Sequence, residues 1–216
     1  MGILYGHRCV LCGADFPVTT SRTLQLCPDC AAAVRREYRC NEVISIAGAD
    51  GTIAPLYYRG IVRNAMKRFK FSSAAYCADW FAAQMSVVLT SQLEDWQPDL
   101  VTYMPIGFLH YRKRGYNQAE LLAKLVAKPL SLPCEATLRK RWFVGKQSAQ
   151  KDYAARQSNA KDAVLPKGGV DLTGKFVVLV DDIITTGATA AAAVKTLREM
   201  GASRVYVLAA TFTPRK

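Results

Sequence analysis

Residues 177–189 of this 216-residue chain read VVLVDDIITTGAT, and this stretch decides the fold. The apolar run from Phe176 to Val180 is typical of a strand that is buried on both faces of a parallel sheet. Asp181 and Asp182 follow at the expected carboxyl end of the strand, where α/β sheets place ligands. A helix is predicted from Ala188 to Met200, and a last buried strand from Val205 to Phe212. Strand, helix and strand in this order predict a parallel α/β sheet with flanking helices.

The loop after the two aspartates has the composition of a phosphate site. It carries the hydroxyls of Thr185, Thr186 and Thr189 and opens directly into the predicted helix, whose first N–H groups attract anions. Gly187 would allow the backbone to approach the anion closely. Carboxylates repel a nearby phosphate unless they bind hydroxyls or a cation, and a sugar phosphate satisfies both demands. The plainer alternative is a chance pair of aspartates before a helix capped by threonine.

Strands and helices also alternate upstream of this stretch. The segment from Val43 to Tyr58 is rich in strand-forming residues, and Gly48-Ala49-Asp50-Gly51 within it predicts a hairpin. A basic helix is predicted from Arg59 to Phe71, because its apolar residues recur at helical spacing. The remaining predictions are a helix over Asp79–Leu93, a strand over Leu100–Met104, a helix over Asn117–Ala127 and an aperiodic polar segment over Arg139–Asn159.

Four of the seven cysteines form two Cys-x-x-Cys pairs, Cys9 with Cys12 and Cys27 with Cys30. The turn within each pair brings two thiolates to one point, and residues 13–26 between the pairs give the spacing of a tetrahedral zinc site. We predict a structural Zn²⁺ site with no position left open for a substrate. The alternatives are two disulfides, one redox-active pair, or replacement of a thiolate by a neighbouring side chain, namely His7 or Cys40.

The charge balance indicates polyanionic partners. Lys and Arg total 29 and Asp and Glu total 17, which gives a formal net charge of +12. A surface this basic favours nucleic acid, nucleotide phosphates or an anionic membrane face. The 50% of hydrophobic residues excludes a disordered chain. The apolar stretch from Trp80 to Leu89 is too short to cross a bilayer, and the N-terminal residues lack the pattern of a signal peptide, so a cytoplasmic protein is predicted.

Basic residues are interleaved with aromatic ones in several places. Cations neutralise phosphates and aromatic rings stack on bases, so this composition favours single-stranded DNA. The predicted nucleic-acid contacts are one helical stripe and one loop cluster: Arg63, Lys67, Lys70, Arg112, Lys113 and Arg114. A second loop cluster contains Arg139, Lys140 and Arg141, and the neighbouring aromatic residues are Tyr111, Tyr116, Trp142 and Phe143. The alternatives are a solvated charged surface, or a lid over a substrate formed by the segment from Arg139 to Asn159.

The 177–189 segment resembles the phosphoribosyl pyrophosphate (PRPP) signature of type I phosphoribosyltransferases. The resemblance implies that Asp181 and Asp182 hold the ribose hydroxyls and carry any catalysis. It also implies that the loop binds the 5-phosphate through Thr185, Thr186, Gly187, Ala188 and Thr189. In an active enzyme, Mg²⁺ and basic residues would neutralise the departing pyrophosphate.

The sequence as a whole resembles the ComF family, in which a four-cysteine zinc module precedes a phosphoribosyltransferase-like domain. The matching pieces are the cysteines, the Tyr57–Phe71 stretch, the block Arg114-Gly115-Tyr116-Asn117-Gln118-Ala119-Glu120, and the spacing of Gln147, Arg156 and Asn159. The chain departs from the family pattern at Tyr103-Met104-Pro105-Ile106, at His110-Tyr111, and at Tyr116, where Phe is usual. The resemblance implies a zinc module over residues 1–42 and a phosphoribosyltransferase-like domain over residues 43–216.

Two functions of different classes follow from these features. The first is a factor in DNA uptake and natural competence that binds a PRPP-type ligand and single-stranded DNA, with a helicase-type ATPase of the uptake machinery as an expected partner. The second is an active phosphoribosyltransferase that transfers ribose 5-phosphate to a base or amine. A sensor that binds PRPP without chemistry is a further alternative, since fold alone does not decide function.

Overall fold

A computed structural model of the chain describes residues 7–16, 26–71, 74–140 and 164–214. The strands in these ranges are β1 (His7–Arg8), β2 (Asp15–Phe16), β3 (Gly51–Ile53), β4 (Leu56–Tyr57), β5 (Leu100–Tyr103), β6 (Leu138–Lys140), β7 (Val164–Pro166), β8 (Phe176–Ile184) and β9 (Arg204–Phe212). The α-helices are α1 (Pro28–Ala33), α2 (Gly60–Phe71), α3 (Cys77–Thr90), α4 (Leu93–Trp96), α5 (Phe108–Arg114), α6 (Gln118–Ala127) and α7 (Ala188–Glu199). A π-helical turn spans Val34–Tyr38, and a 3-10 turn spans Lys128–Leu130.

The centre of the fold is a parallel sheet with the strand order β3–β9–β8–β5, in which β4 also pairs with β9. Residues alternate across β8. Val178 and Val180 pack with helices α2, α3 and α6, whereas Val177 and Leu179 pack with α7. Each face of the sheet is therefore covered by helices, which explains the continuous apolar run in this strand. The predicted parallel α/β sheet with flanking helices is confirmed.

The strands β5 and β8 end at different levels. Tyr103 is the last residue of β5 and lies opposite Val180, while β8 continues to Ile184 by pairing with β9 up to Phe212. The prediction that β8 stops at Val180 is therefore wrong, because β9 pairs with Asp181, Ile183 and Ile184 beyond that residue. Residues 181–184 extend past the end of β5, and this step at the sheet edge creates the space for a pocket.

The predicted hairpin at residues 48–51 is wrong. The segment instead leads into β3, which runs parallel to β9 as an edge strand. Gly48 adopts a positive φ of 81°, and the Asp50 carboxylate accepts a hydrogen bond of 2.7 Å from the backbone N–H of Val205. The turn residues therefore attach the edge strand to β9 rather than reverse the chain.

The basic clusters predicted to lie in loops belong to regular elements. Residues 112–114 end helix α5, which Gly115 terminates with a positive φ of 80°. No side chain of α5 is buried, so the sequence lacks the apolar periodicity that would have revealed a helix. Arg139 and Lys140 lie in β6, which pairs antiparallel with β7. The rest of the Arg139–Asn159 segment, from residue 141 onward, lies outside the described residues.

The cysteine-containing segment packs directly on the larger domain. Cys9, Val10 and Leu11 are at most 1% exposed and share one buried cluster with Met66 and Phe69 of α2. The boundary between residues 42 and 43 stays a prediction. Among the helices in the described ranges, none is both long enough and apolar enough to cross a membrane.

Candidate functional site

The four paired cysteines converge on one point. The sulfur atoms of Cys9, Cys12, Cys27 and Cys30 all lie within 4.8 Å of one another, and the Sγ atoms of Cys12 and Cys27 are 3.7 Å apart. A tetrahedral zinc ion with Zn–S bonds of about 2.3 Å requires sulfur separations of roughly 3.8 Å. The geometry therefore fits one metal ion, such as zinc, held by four thiolates.

Two local turns bring these sulfurs together. Gly13, with a positive φ of 81°, closes the first pair by donating its N–H to the carbonyl of Cys9 at 2.9 Å. The second pair spans the start of helix α1, with Cys27 at its N-cap and Pro28 in its first turn. Burial raises the pKa of the Cys9 thiol, but N–H groups of Cys12, Cys27 and Leu11 outweigh this and lower it to about 7.

The structure bears on each of the alternatives for the cysteines: disulfides, replacement of a thiolate by Cys40 or His7, and a redox-active pair. All seven cysteines carry free thiols, so the two predicted pairs form no disulfide in this structure. Cys40 does not belong to the cluster, and the side chain of His7 lies outside the described residues. A redox-active pair would leave the convergence of the other two sulfurs unexplained.

A second site is the pocket at the step between β5 and β8, with a volume of about 200 Å³. Its walls come from the end of β8, the loop into α7, the loop after β5, and the start of α6. The polar side chains that line it are Lys70, Arg114, Asn117, Gln118, Asp181, Asp182, Thr185, Thr186 and Thr189. The structure thus brings both predicted aspartates and the predicted threonine loop to one cavity.

The two aspartates lie in contrasting electrostatic surroundings. Lys70 Nζ lies 2.9 Å from Asp182 Oδ2, and the side chains of this pair are only 19% and 12% exposed. The backbone N–H of Asp182 donates to Asp181 Oδ1 at 2.7 Å. Burial raises the pKa of Asp181, and the neighbouring charge of Asp182 raises it further, while Lys70 and Lys140 oppose the shift. The ammonium group of Lys70 therefore offsets the charge of one of the two neighbouring carboxylates.

The threonine loop enters α7 through a glycine in the left-handed conformation. Gly187 is the N-cap of α7 with φ 81°, and the N–H of Ala188 donates to Thr186 Oγ1 at 3.4 Å. A Cβ atom at position 187 would collide with the side chain of Ile46. Thr185, Thr186 and Thr189 are exposed, so their hydroxyls remain accessible to a ligand at the positive end of the helix.

Two side chains that line the pocket carry buried donors without an acceptor among the described residues. Arg114 Nη1 donates to Gln118 Oε1 at 3.1 Å, whereas Arg114 Nε and Gln118 Nε2 are buried without a partner among the described residues. Gln118 is 1% exposed. A buried unpaired donor costs roughly 1–3 kcal/mol, and both atoms belong to side chains that line the pocket. Sequence reasoning did not assign Gln118 to the site, although it stands in the block after Arg114.

Tyr116 and Asn117, between these two donors, have structural roles. Tyr116 donates its hydroxyl to the carbonyl of Phe69 in α2. Asn117 caps α6 by accepting from the N–H of Ala119 at 3.1 Å, and its amide donates to the carbonyl of Met104 at 2.9 Å. Both side chains fix the start of α6 against neighbouring elements, which holds Arg114 and Gln118 at the pocket.

The comparisons with known proteins agree with this architecture. The phosphoribosyl transferase domain family matches residues 117–215. Competence protein F of Haemophilus influenzae is 28% identical over 66% of this chain and 64% of its own length. Competence protein ComFC of Bacillus subtilis is 28% identical over 91% of this chain and 73% of its own length. The DNA utilization protein YhgH of Escherichia coli K12 is 21% identical over 96% and 92%. These relatives and the matched domain support the assignment of this chain to the ComF family.

Solved structures similar to this chain include a PRPP amidotransferase and a phosphoribosyltransferase. The glutamine PRPP amidotransferase of Bacillus subtilis is 28% identical with a TM-score of 0.42, covering 62% of this chain and 26% of that protein. The orotate phosphoribosyltransferase of Aeropyrum pernix is 16% identical with a TM-score of 0.37, covering 84% and 92%. The chain spans about a quarter of the amidotransferase, so the activity of that whole enzyme belongs to that enzyme. The matched domain and the parallel sheet establish the type I phosphoribosyltransferase-like fold with an N-terminal four-cysteine cluster.

The predicted nucleic-acid residues divide into two groups in the structure. Lys70 and Arg114 line the pocket, whereas Arg63, Lys67, Arg112 and Lys113 are exposed. Arg112 lies 5.8 Å from the ring of Phe108, and Lys113 lies 6.0 Å from the ring of Phe71. The predicted aromatic neighbours Trp142 and Phe143, with Arg141, Gln147, Arg156 and Asn159, lie outside the described residues.

Proposed function

We propose that this ComF-family chain binds a phosphoribosyl compound of the PRPP type in its pocket and acts in DNA uptake. The observation that carries the proposal is the arrangement of complementary groups around one cavity. The carboxylates of Asp181 and Asp182 accept hydrogen bonds from ribose hydroxyls, while the threonine loop donates to the 5-phosphate. Arg114 and Gln118, whose Nε and Nε2 atoms have no partner among the described residues, line the same pocket and are our candidates to bind the second anionic group of such a ligand.

Lys70 reduces the repulsion between the two aspartates and a phosphorylated ligand. Two carboxylates would repel a phosphorylated ligand, but the ammonium group at 2.9 Å from Asp182 offsets one of them. Within the described residues, only the four cysteines form a group of three or more metal-binding side chains. Magnesium in the pocket would therefore take most of its oxygen ligands from the bound phosphoribosyl compound.

Titration calorimetry with ribose 5-phosphate and PRPP, with and without Mg²⁺, tests the pocket. We expect the wild type to bind both ligands and the double variant Asp181→Asn/Asp182→Asn to lose at least 100-fold in affinity. Asp95→Asn, an exposed aspartate in α4, is the matched control and should bind normally. Unchanged binding by the double variant would contradict the assignment of the carboxylates. Release of pyrophosphate from PRPP with a panel of bases or amines would identify an active transferase.

The cysteine cluster supports a structural zinc ion in the same protein. Four thiolates close the tetrahedral shell, and the surrounding residues are buried against α2. The metal would fix the segment before residue 42, whose apolar side chains pack on the domain rather than on one another alone. Its chemistry is structural, because no ligand position remains for a substrate.

Single-stranded DNA binding is the second part of the proposal, and the surface formed by α5 and the end of α2 supports it. Phe71, Phe108 and Tyr111 are 60%, 47% and 47% exposed, and exposed rings of this size suit stacking on unpaired bases. Arg112 and Lys113 are exposed beside them and supply charge for the phosphates. The names of the relatives, which refer to competence and DNA utilization, agree with such a partner.

Fluorescence anisotropy with labelled oligo-dT over a range of salt concentrations tests this surface. Arg112→Ala/Lys113→Ala should weaken binding and reduce the slope of log K against log salt by about 1.4, at about 0.7 per lost phosphate contact. Lys175→Ala/Lys195→Ala, which removes two exposed charges elsewhere, should leave affinity nearly unchanged. Lys70 is excluded from the variant because it lies in the pocket. Absence of binding by the wild type at low salt would refute this part of the proposal.

A further inference from the structure

The last turn of helix α2 touches both candidate sites. Four consecutive residues, Arg68, Phe69, Lys70 and Phe71, each contact a different part of the molecule. We infer that this turn couples the cysteine cluster to the pocket, so that the metal-loaded cluster holds Lys70 against Asp182 and thereby sets ligand affinity. Arg68 and Lys70 are positioning residues in this scheme. The inference rests on the proposed function of the pocket and of the cluster.

Arg68 forms the contact with the cysteine cluster. Its Nη2 donates to the carbonyl of Val10 at 2.7 Å and to the carbonyl of Leu11 at 2.8 Å. These two residues lie between Cys9 and Cys12, within the first Cys-x-x-Cys turn. A metal bound by both thiolates fixes the backbone between them, and hydrogen bonds from a charged donor are stronger than those between neutral groups. The position of Arg68 therefore depends on the conformation of the metal-binding turn.

Lys70 forms the contact with the pocket two residues later. Residues that are two apart in a helix rise by about 3 Å along its axis and point in different directions. Arg68 can thus reach the cysteine turn while Lys70 reaches Asp182 Oδ2 at 2.9 Å. The ion pair is shielded from water, with only 19% of the Lys70 side chain exposed, so a small shift of the helix end changes the charge presented to a ligand.

Phe69 anchors this helix end in the core. Its side chain is fully buried, its ring lies 5.8 Å from the ring of Tyr116, and its carbonyl accepts from the Tyr116 hydroxyl. Phe71 lies 5.1 Å from the guanidinium of Arg114. Helix α2 therefore contacts the basic wall of the pocket as well as the acidic one. Coupling between two sites is reciprocal, so a pocket ligand should in turn stabilise the metal.

The test uses the full chain and begins with Arg68→Gln. Chelation alone is ambiguous because metal loss can unfold the segment, so the variant must break the contact while retaining zinc. We expect Arg68→Gln to keep one zinc ion per chain by elemental analysis, yet to bind ribose 5-phosphate about fivefold more weakly by calorimetry. Arg36→Gln, which alters an exposed arginine of the π-helical turn at residues 34–38, is the control and should bind normally. Arg68→Lys should recover part of the lost affinity.

A double-variant cycle decides whether the effect passes through Lys70. Lys70→Met should weaken ribose 5-phosphate binding about tenfold, and adding Arg68→Gln should then produce no further loss. Ribose 5-phosphate should also slow the transfer of zinc to a chromogenic chelator in the wild type but not in Arg68→Gln. Additive effects, or unchanged affinity in zinc-loaded Arg68→Gln, would overturn the coupling alone. If the wild type binds no ribose 5-phosphate, the proposed function fails and the coupling fails with it.

Discussion

The cysteine cluster and the pocket differ in how far along the chain their parts are drawn. All four thiols come from residues 9–30, in two short turns, and their spacing alone indicated the geometry. The charges of the pocket come from Lys70, Arg114 and the Asp181–Asp182 pair, which only the tertiary fold brings together. A site made of local turns can be recognised from spacing. A site whose charge balance is assembled from distant helices cannot.

The largest effect is expected when the cysteine cluster, the site built from local turns, is removed. Cys12→Ser/Cys27→Ser should abolish zinc binding and lower the melting temperature by more than 10 °C. The physical reason is that metal binding supplies folding free energy, which is lost when two of the four thiolates are removed. Elemental analysis and thermal unfolding measure the two effects.

Cys134→Ser, at a half-buried cysteine outside the cluster, is the control and should retain zinc. If the double variant unfolds at the wild-type temperature, the cluster is not a structural centre.

Gly187→Ala tests the backbone geometry at the distant site. A residue with a Cβ pays about 1–2 kcal/mol in the left-handed region, and Ile46 must also move aside. We expect a loss of about 2 kcal/mol in unfolding free energy, measured by urea denaturation. Gly107→Ala is the control, since its added Cβ would meet nothing closer than 3.9 Å. Equal stability of the two variants would show that the loop tolerates a side chain.

Gln118→Ala tests whether the pocket binds the two anionic groups of PRPP at separate positions. Its unpaired Nε2 should serve the pyrophosphate of PRPP and leave the 5-phosphate unaffected. We expect about a tenfold loss of PRPP affinity, equivalent to about 1.4 kcal/mol, with less than a twofold loss for ribose 5-phosphate. Calorimetry with both ligands gives the ratio directly. Equal losses for both ligands would instead indicate a general disturbance of α6.

Asp181→Asn should produce the smallest effect, and its sign depends on pH. The pKa of Asp181 is raised in the folded state by burial and by Asp182, so the folded protein binds the proton more tightly than the unfolded chain. Stability contributed by this group is present at low pH and is lost as pH rises through the folded pKa. The asparagine variant should therefore melt roughly 2 °C above wild type at pH 8. The difference should vanish near pH 4, and a lower melting temperature at pH 8 would contradict the assigned sign.

Much of the framework was predictable because it depends on patterns of burial. The apolar run of β8 indicated its two covered faces, and Val62, Met66 and Phe69 indicated the buried side of α2, where all three are fully buried. Helical spacing correctly placed Arg63, Lys67 and Lys70 along one side. It could not reveal that the end of this stripe meets Asp182, since periodicity shows which residues share a face but not what that face contacts.

Other features depended on partners that the local sequence does not contain. Strand β8 extends through the aspartates because β9 pairs with it that far. Helix α5 was missed because it buries none of its side chains. The burial of Gln118 follows from packing at the start of α6, and a polar residue gives no hydropathic signal of such a position.

The size of the pocket depends on the unequal lengths of β5 and β8 as well as on the side chains that line it. The four residues of β8 beyond the last β5 partner correspond to a shelf about 13 Å deep, at about 3.3 Å per residue. An insertion after Tyr103 that lengthened β5 would fill this shelf while leaving every charged group in place. Ligand size can thus be changed in steps of one residue, by altering the lengths of adjacent strands, without replacing any group that touches the ligand.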